Sequence, residues 1–173
     1  MAQTMQARNA VSAKMAECYV TINDNRYNLM SAVNVEVTFE KNKTEVPILG
    51  RMNKGHKSTS STITGSAEFH FNTSLWRELA YRFQESGEDL YFEMQITNED
   101  ITASDLGRQT IILYGCNFDS VLLASFDADS DDVLTESMDF TVERFEMPEK
   151  FNMMAGTAVA KAEISSESGS EWL

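Results

Sequence analysis

From Val33 the chain alternates strictly: Val33, Val35, Val37 and Phe39 fall on one side, Asn34, Glu36, Thr38 and Glu40 on the other. Successive side chains of a strand point to opposite faces, so eight residues of this period predict a strand with one buried side. The pattern recurs. Ala67, Phe69 and Phe71 alternate with Glu68 and His70, and Phe92, Met94 and Ile96 with Tyr91, Glu93 and Gln95. Phe118, Leu122, Ala124 and Phe126 are assigned to one strand face across from Asp119, Val121 and Leu123. The run Thr110–Tyr114, "TIILY", is apolar on both faces and predicts a central strand. Met138, Phe140 and Val142 alternate until "ERFEM" shifts the parity to Phe145 and Met147, the signature of a β-bulge, and Pro148 closes the strand. Near the start, "ECYVTI" and "YNLM" flank "NDNR", whose Asn and Asp accept positive φ, so a hairpin is expected there.

Helical spacing stands out in one place, at about residues 74–85. Leu75, Trp76, Leu79, Ala80 and Phe83 make one apolar stripe, Thr73 or Ser74 offers a cap, and "SGED" ends it. A tryptophan in such a stripe belongs to the core. The sum is a mainly β protein of about seven strands, a β-sandwich or barrel with one α-helix across it. Residues 1–151 are expected to form one domain, with 1–16 as an N-terminal arm. Residues 152–173 read as an extension, a short helix in "MMAGTAVAKAEI" followed by a mobile tail.

Charge sharpens this picture. The net charge is −13, yet Glu40–Ser58 holds five of the fourteen basic residues and carries +3, leaving −16 on the rest. Pro47, Gly50 and Gly55 make a regular element unexpected through the centre of this basic island. From Glu85 to Glu149 there are 17 acids and only Arg108 and Arg144 as bases, a surface that repels phosphates. No apolar run approaches the roughly 20 residues of a membrane span. The start of the chain lacks a hydrophobic signal core, which predicts no secretion by the ordinary route. Cys18 and Cys116 stand alone and are expected as buried free thiols, without the neighbours a zinc site needs.

Chemical motifs are approached but not completed. Gly50 to Ser58 imitates a phosphate-binding loop, but His56 is inserted between Gly55 and Lys57, and the following residues predict a strand where that loop must open a helix. Asp127 to Asp132 imitates the start of a calcium loop, but Asp132 stands where glycine is needed and Met138 where glutamate is; a solvated turn between strands is expected. No serine sits in a Gly-x-Ser-x-Gly elbow, and His56 and His70 form neither a triad nor a metal pair. Neither catalysis, cofactor nor metal is expected.

The segments "FEKNKTEVPILGR", "GHKS", "NFDS", "LASFDAD" and "FEMPEKF" occur in that order. Together they resemble the tail tube protein of contractile phage tails, of the type found in the PBSX-like defective prophage. The resemblance runs from about Gln6 to Phe151, is most specific over Glu40–Lys57, and departs around "NEDITASDLGRQ" and after Phe151. It implies a non-enzymatic subunit of a virion tail, assembled in the host cytoplasm. Such subunits form six-membered rings that join by inter-subunit sheet formation and stack into a hollow tube within a contractile sheath. The partners it implies are further copies of the chain, the sheath protein, and terminator and baseplate proteins, with DNA passing down the lumen without specific binding. The tube of a DNA-free phage-tail-like bacteriocin has the same architecture, and a small-ligand-binding β-barrel carrier is the alternative of another class.

On the tube reading, Lys41, Lys43, Arg51, Lys54, His56 and Lys57 form a loop that docks on an acidic surface of another copy. Glu36, Asp119, Asp127 and Asp129 are candidates for the acidic surface or lumen. Lys54→Glu combined with Lys57→Glu is expected to preserve the fold and weaken stacking, more so at low salt, as read by sedimentation; unchanged tube formation contradicts the docking role.

Overall fold

The computed structural model describes residue 7 and residues 10–152. These fall into two compact units: one within Met1–Glu17, Ile96–Ile111 and Met147–Leu173, the other comprising Cys18–Gln95 and Ile112–Glu146. The strands are β1 (Glu17–Ile22), β2 (Asn25–Asn28), β3 (Ala32–Val46), β4 (Gly55–His70), β5 (Phe92–Glu99), β6 (Arg108–Val121), β7 (Thr135–Val142) and β8 (Arg144–Glu149), with one helix, α1 (Leu75–Ser86). They form one sheet in the order β2-β1-β5-β6-β7-β4-β3, and β8 also pairs with β6. Among the described residues the architecture is mainly β with a single α-helix, as the alternation implied; the short helix and tail expected after Asn152 lie outside the described residues.

In the larger unit the first hairpin turns at Asn23 and Asp24, both at positive φ (49° and 64°), the two-residue turn that follows the twist of antiparallel strands. The core lies on one face. Phe69, Trp76, Phe92, Met94, Leu113, Met138 and Phe140 are fully buried there. Trp76 carries α1 into this core, its ring 5.6 Å from Phe69 and 5.4 Å from Phe92, with Phe92 6.3 Å from Phe140. Such aromatic contacts add about 0.5–1.5 kcal/mol each to the burial of their area. Gly65 lies opposite Phe140, and a Cβ on Gly65 would stand 2.4 Å from the ring, so the absent side chain makes room for the phenyl. Cys18 and Cys116 are free and buried, and burial pushes both thiols up to about 12.

Helix α1 ends at Gly87, whose positive φ of 69° lets its N–H donate to the Phe83 carbonyl. At the other end the Thr73 hydroxyl accepts from the Leu75 N–H at 3.3 Å, whereas Ser74 makes no side-chain cap. Phe83 departs from the expected stripe, being half exposed, while Trp76 and Leu79 are buried.

Three further expectations are corrected. Strand β6 stops at Val121, and the residues assigned to its continuation lie in an irregular segment where Leu123 and Phe126 face solvent. The apolar face of β3 is not buried: Val33 and Phe39 are exposed, and Val35 and Val37 only half covered, because β3 is the last strand of the sheet. Third, the parity slip near Arg144 is a break at Glu143 between two strands, and β8 runs through Pro148 to Glu149. Glu143 donates its N–H to the Tyr114 carbonyl, opposite Gly115 at φ 64°, where a Cβ would meet the Glu143 side chain at 2.6 Å.

The described part of the smaller unit is organised by polar contacts. Asp100, 4% exposed, accepts from the Ser12 N–H at 2.8 Å and from the Thr102 hydroxyl and N–H at 2.6 and 2.9 Å, which hold its carboxyl below the usual range. Glu149 accepts from Arg108 at 2.5 Å and from Thr110 at 2.6 Å and is lowered likewise, chiefly by the Arg108 hydrogen bond.

One buried ion pair fixes α1 within the larger unit. Arg77 donates to Glu136 on β7 at 2.6 Å and to the Leu122 carbonyl at 3.3 Å, donates to the Thr73 carbonyl, and lies 4.1 Å over the Phe71 ring. Glu136 is 2% exposed. Arg77→Met would strand its carboxylate in the core, and a loss of about 3 kcal/mol is expected. Arg77→Met with Glu136→Leu should recover most of that loss in urea unfolding; equal losses in the single and double variants would show that the pair is not what matters.

Candidate assembly surfaces

The basic island is only partly a loop. Lys41 and Lys43 lie on β3 and His56 and Lys57 on β4; Arg51 and Lys54 lie in the irregular tip between the strands. The two strands pair from Ala32–Phe69 out to Val46–Gly55. Strand β7 covers β4 only from Ile63 to His70. Beyond Ile63 the hairpin therefore continues as a two-stranded ribbon, Glu40–Val46 against Gly55–Thr62. Its local chemistry suits water: Asn42 donates to the Ser60 hydroxyl at 3.0 Å, and Thr59, at a bulge, donates to the Asn42 carbonyl at 3.2 Å. Every residue of the ribbon is exposed except Gly55. The strand at Gly55 also settles the phosphate-loop resemblance, since such a loop must open a helix.

Lys54 pairs with Glu45 at 2.8 Å, both largely exposed, an interaction worth under about 1 kcal/mol. At the tip, Ile48 to Arg51 makes a turn closed by the Arg51 N–H on the Ile48 carbonyl, with Gly50 at φ 82°. It holds Leu49 outward, and Leu49 and Met52 are fully exposed. These apolar tip residues were passed over in the sequence because charge dominates the segment.

The second surface is the outer face of β3, β4, β7 and β6 in the larger unit. Directly paired residues share a face, so the register places Glu36, Ser66, Asp139 and Ser120 in one row across four strands, flanked by Thr38, Thr64, Thr141 and Asn117. Ser120 donates to Asp139 at 3.3 Å. A shallow recess here is lined by Glu36, Asp119 and Asp139 among hydroxyls. These rows hold carboxylates, hydroxyls and amides, and neither lysine nor arginine. The structure thus brings together two of the four predicted acids, Glu36 and Asp119. Asp127 and Asp129 lie elsewhere, in the segment between β6 and β7, where Asp127 accepts from the Asp129 N–H at 3.1 Å in a solvated turn. Asp139 was missed, although Ser137, Asp139 and Thr141 alternate visibly against Met138, Phe140 and Val142.

Comparison with known proteins follows this geometry. Residues 3–149 match a family model described as phage tail tube protein, a range that includes the Asn98–Gln109 stretch, where the sequence resemblance departs. The chain is 36% identical over 148 residues to the phage-like element PBSX protein XkdM of Bacillus subtilis (strain 168), covering 86% of this chain and 97% of that protein. Its fold is similar to that of a chain in the six-fold symmetrised cryo-EM structure of the anti-feeding prophage baseplate, with TM-score 0.61, 14% identity, and 80% and 94% of the two chains covered. It is also similar to a chain in the sheath-tube complex of an extracellular contractile injection system in the extended state, with TM-score 0.58, 15% identity, and 82% and 93% covered.

Proposed function

This chain belongs to the phage tail tube protein family, and from that premise we propose that its copies close into six-membered rings which stack into a hollow tube inside a contractile sheath. The observation that carries this reading is the pair of lysine- and arginine-free rows that cross β3, β4, β7 and β6, Glu36-Ser66-Asp139-Ser120 and Thr38-Thr64-Thr141-Asn117, set beside a sheet edge that ends on β3. Turned toward a lumen, carboxylates and hydroxyls repel DNA phosphates while remaining wet, so a genome slides past without adhering. Strand β3, 15 residues long, offers its outer backbone groups to a neighbouring copy, which closes the sheet across the ring and removes the exposed edge. The basic ribbon reaches beyond the sheet and docks on an acidic surface of a copy in the next ring. The six-fold symmetry of the baseplate structure that holds a chain of similar fold supports the ring number, and the sheath-tube complex supports the sheath as a partner. Terminator and baseplate proteins cap the two ends, and assembly takes place in the host cytoplasm. The role is structural, with no chemistry of its own.

Negative-stain microscopy of the purified protein, with sedimentation of the same sample, tests this. Six-fold rings or hollow rods are expected. A stable monomer at every concentration and salt would return the ligand-carrier alternative and direct attention to a bound small molecule.

A further inference from the structure

The segment between β6 and β7 has the opposite character to the ribbon tip. Residues 122–134 carry four aspartates and no basic residue. Within it Phe126 is 90% exposed, and Leu123 and Val133 are also mostly exposed. An irregular segment that presents three large apolar side chains to water among carboxylates has a surface to cover. The tip presents Leu49 and Met52 among Arg51 and Lys54. Each surface is apolar at its centre and charged around it, and the charges are opposite.

Their placement on the sheet is also opposite. Strand β4 runs from Gly55 at the tip to His70, and His70 pairs with Thr135, the first residue of β7. The Phe71 N–H donates to the Leu134 carbonyl at 3.0 Å, and Arg77 holds the other end of the segment by the Leu122 carbonyl. The acidic segment therefore returns to the sheet at the far end of the strand whose near end carries the tip. Sixteen residues of strand, at about 3.3 Å each, put roughly 50 Å between these two ends of β4.

We propose that residues 122–134 are the acceptor for the ribbon tip of a second copy of this chain, Phe126 and Leu123 packing against Leu49 and Met52 while the aspartates face Arg51 and Lys54. This rests on the tube reading and names the acidic surface that the reading requires. Tip cannot pair with tip, nor acceptor with acceptor, because like charges would face each other. With donor and acceptor at opposite strand ends, each docked copy leaves a free tip at one side and a free acceptor at the other. Such head-to-tail contacts propagate as an open stack and do not close as a dimer.

Cross-linking tests it on the full chain. Met52→Cys and Phe126→Cys are made in separate chains, one of them enlarged by a tag, then mixed, assembled and mildly oxidised; native Cys18 and Cys116 are buried. A mixed-mass disulfide dimer is expected, at least about tenfold more abundant than when Met52→Cys is mixed with Tyr81→Cys on the exposed side of α1. Rods without that preference overturn the acceptor assignment and leave the tube reading standing; neither rods nor cross-link overturns both. A second arm reverses charge. Asp127→Lys with Asp129→Lys should abolish rods at unchanged circular dichroism, and Arg51→Glu with Lys54→Glu in the same chain should restore them. Failure of that rescue also counts against the assignment.

Discussion

The structure turns on a ribbon without a third strand. From Glu40 to Thr62 the hairpin leaves the sheet behind, and a two-stranded ribbon in water is marginal on its own, since neither face is covered and neither edge is paired. Its residues reflect that exposure: lysines, serines and threonines along the strands, with Val46 alone among the strand residues strongly apolar. A segment so built gains its stability from what it meets. The same holds for β3 as a whole, the terminal strand of the sheet, whose outer N–H and C=O groups have no strand partner among the described residues. Assembly and local order are then one equilibrium.

What lets the ribbon project is the firmness of its base. Trp76 between Phe69 and Phe92, and Phe140 over Gly65, lock β4 and β7 into one register. Arg77 and Glu136 tie α1 to the start of β7, and Arg77 also holds the segment that follows β6. A one-residue slip would turn Ile63, Ala67 and Phe69 to the hydroxyl-rich face, so the buried row and the acidic row are specified together.

Much of this was legible in the residues. The alternation in 135–142 and 92–96, the Asn-Asp turn, the helix and the buried thiols depend on local pattern and on burial of one face, and both are written in the order of side chains. Position in the sheet is not. Val33 and Phe39 alternate as a core strand would, yet their strand is an edge, because edge or centre is decided by which segments arrive on either side. Phe118 and Asp119 foretold a longer β6 in the same way: Leu122, Leu123 and Phe126 have strand-like spacing, but the β6–β7 pairing ends at Val121–Met138, and β7 runs on to Thr135 paired with β4 alone while the Leu122 carbonyl is taken by Arg77. The basic island was found by charge, while Leu49 and Met52 at its tip were hidden by the same charge. Their isolation became visible only when the turn at Gly50 held them outward.

The central claim is that β3 completes its hydrogen bonding only in the assembly. Hydrogen–deuterium exchange of the free and assembled subunit over Ala32–Val46 measures it directly. Every second amide of that strand should exchange freely in the isolated chain and become strongly protected in rings or rods. Equal exchange in both states would mean that the edge stays open to water, and that the subunits are held together elsewhere.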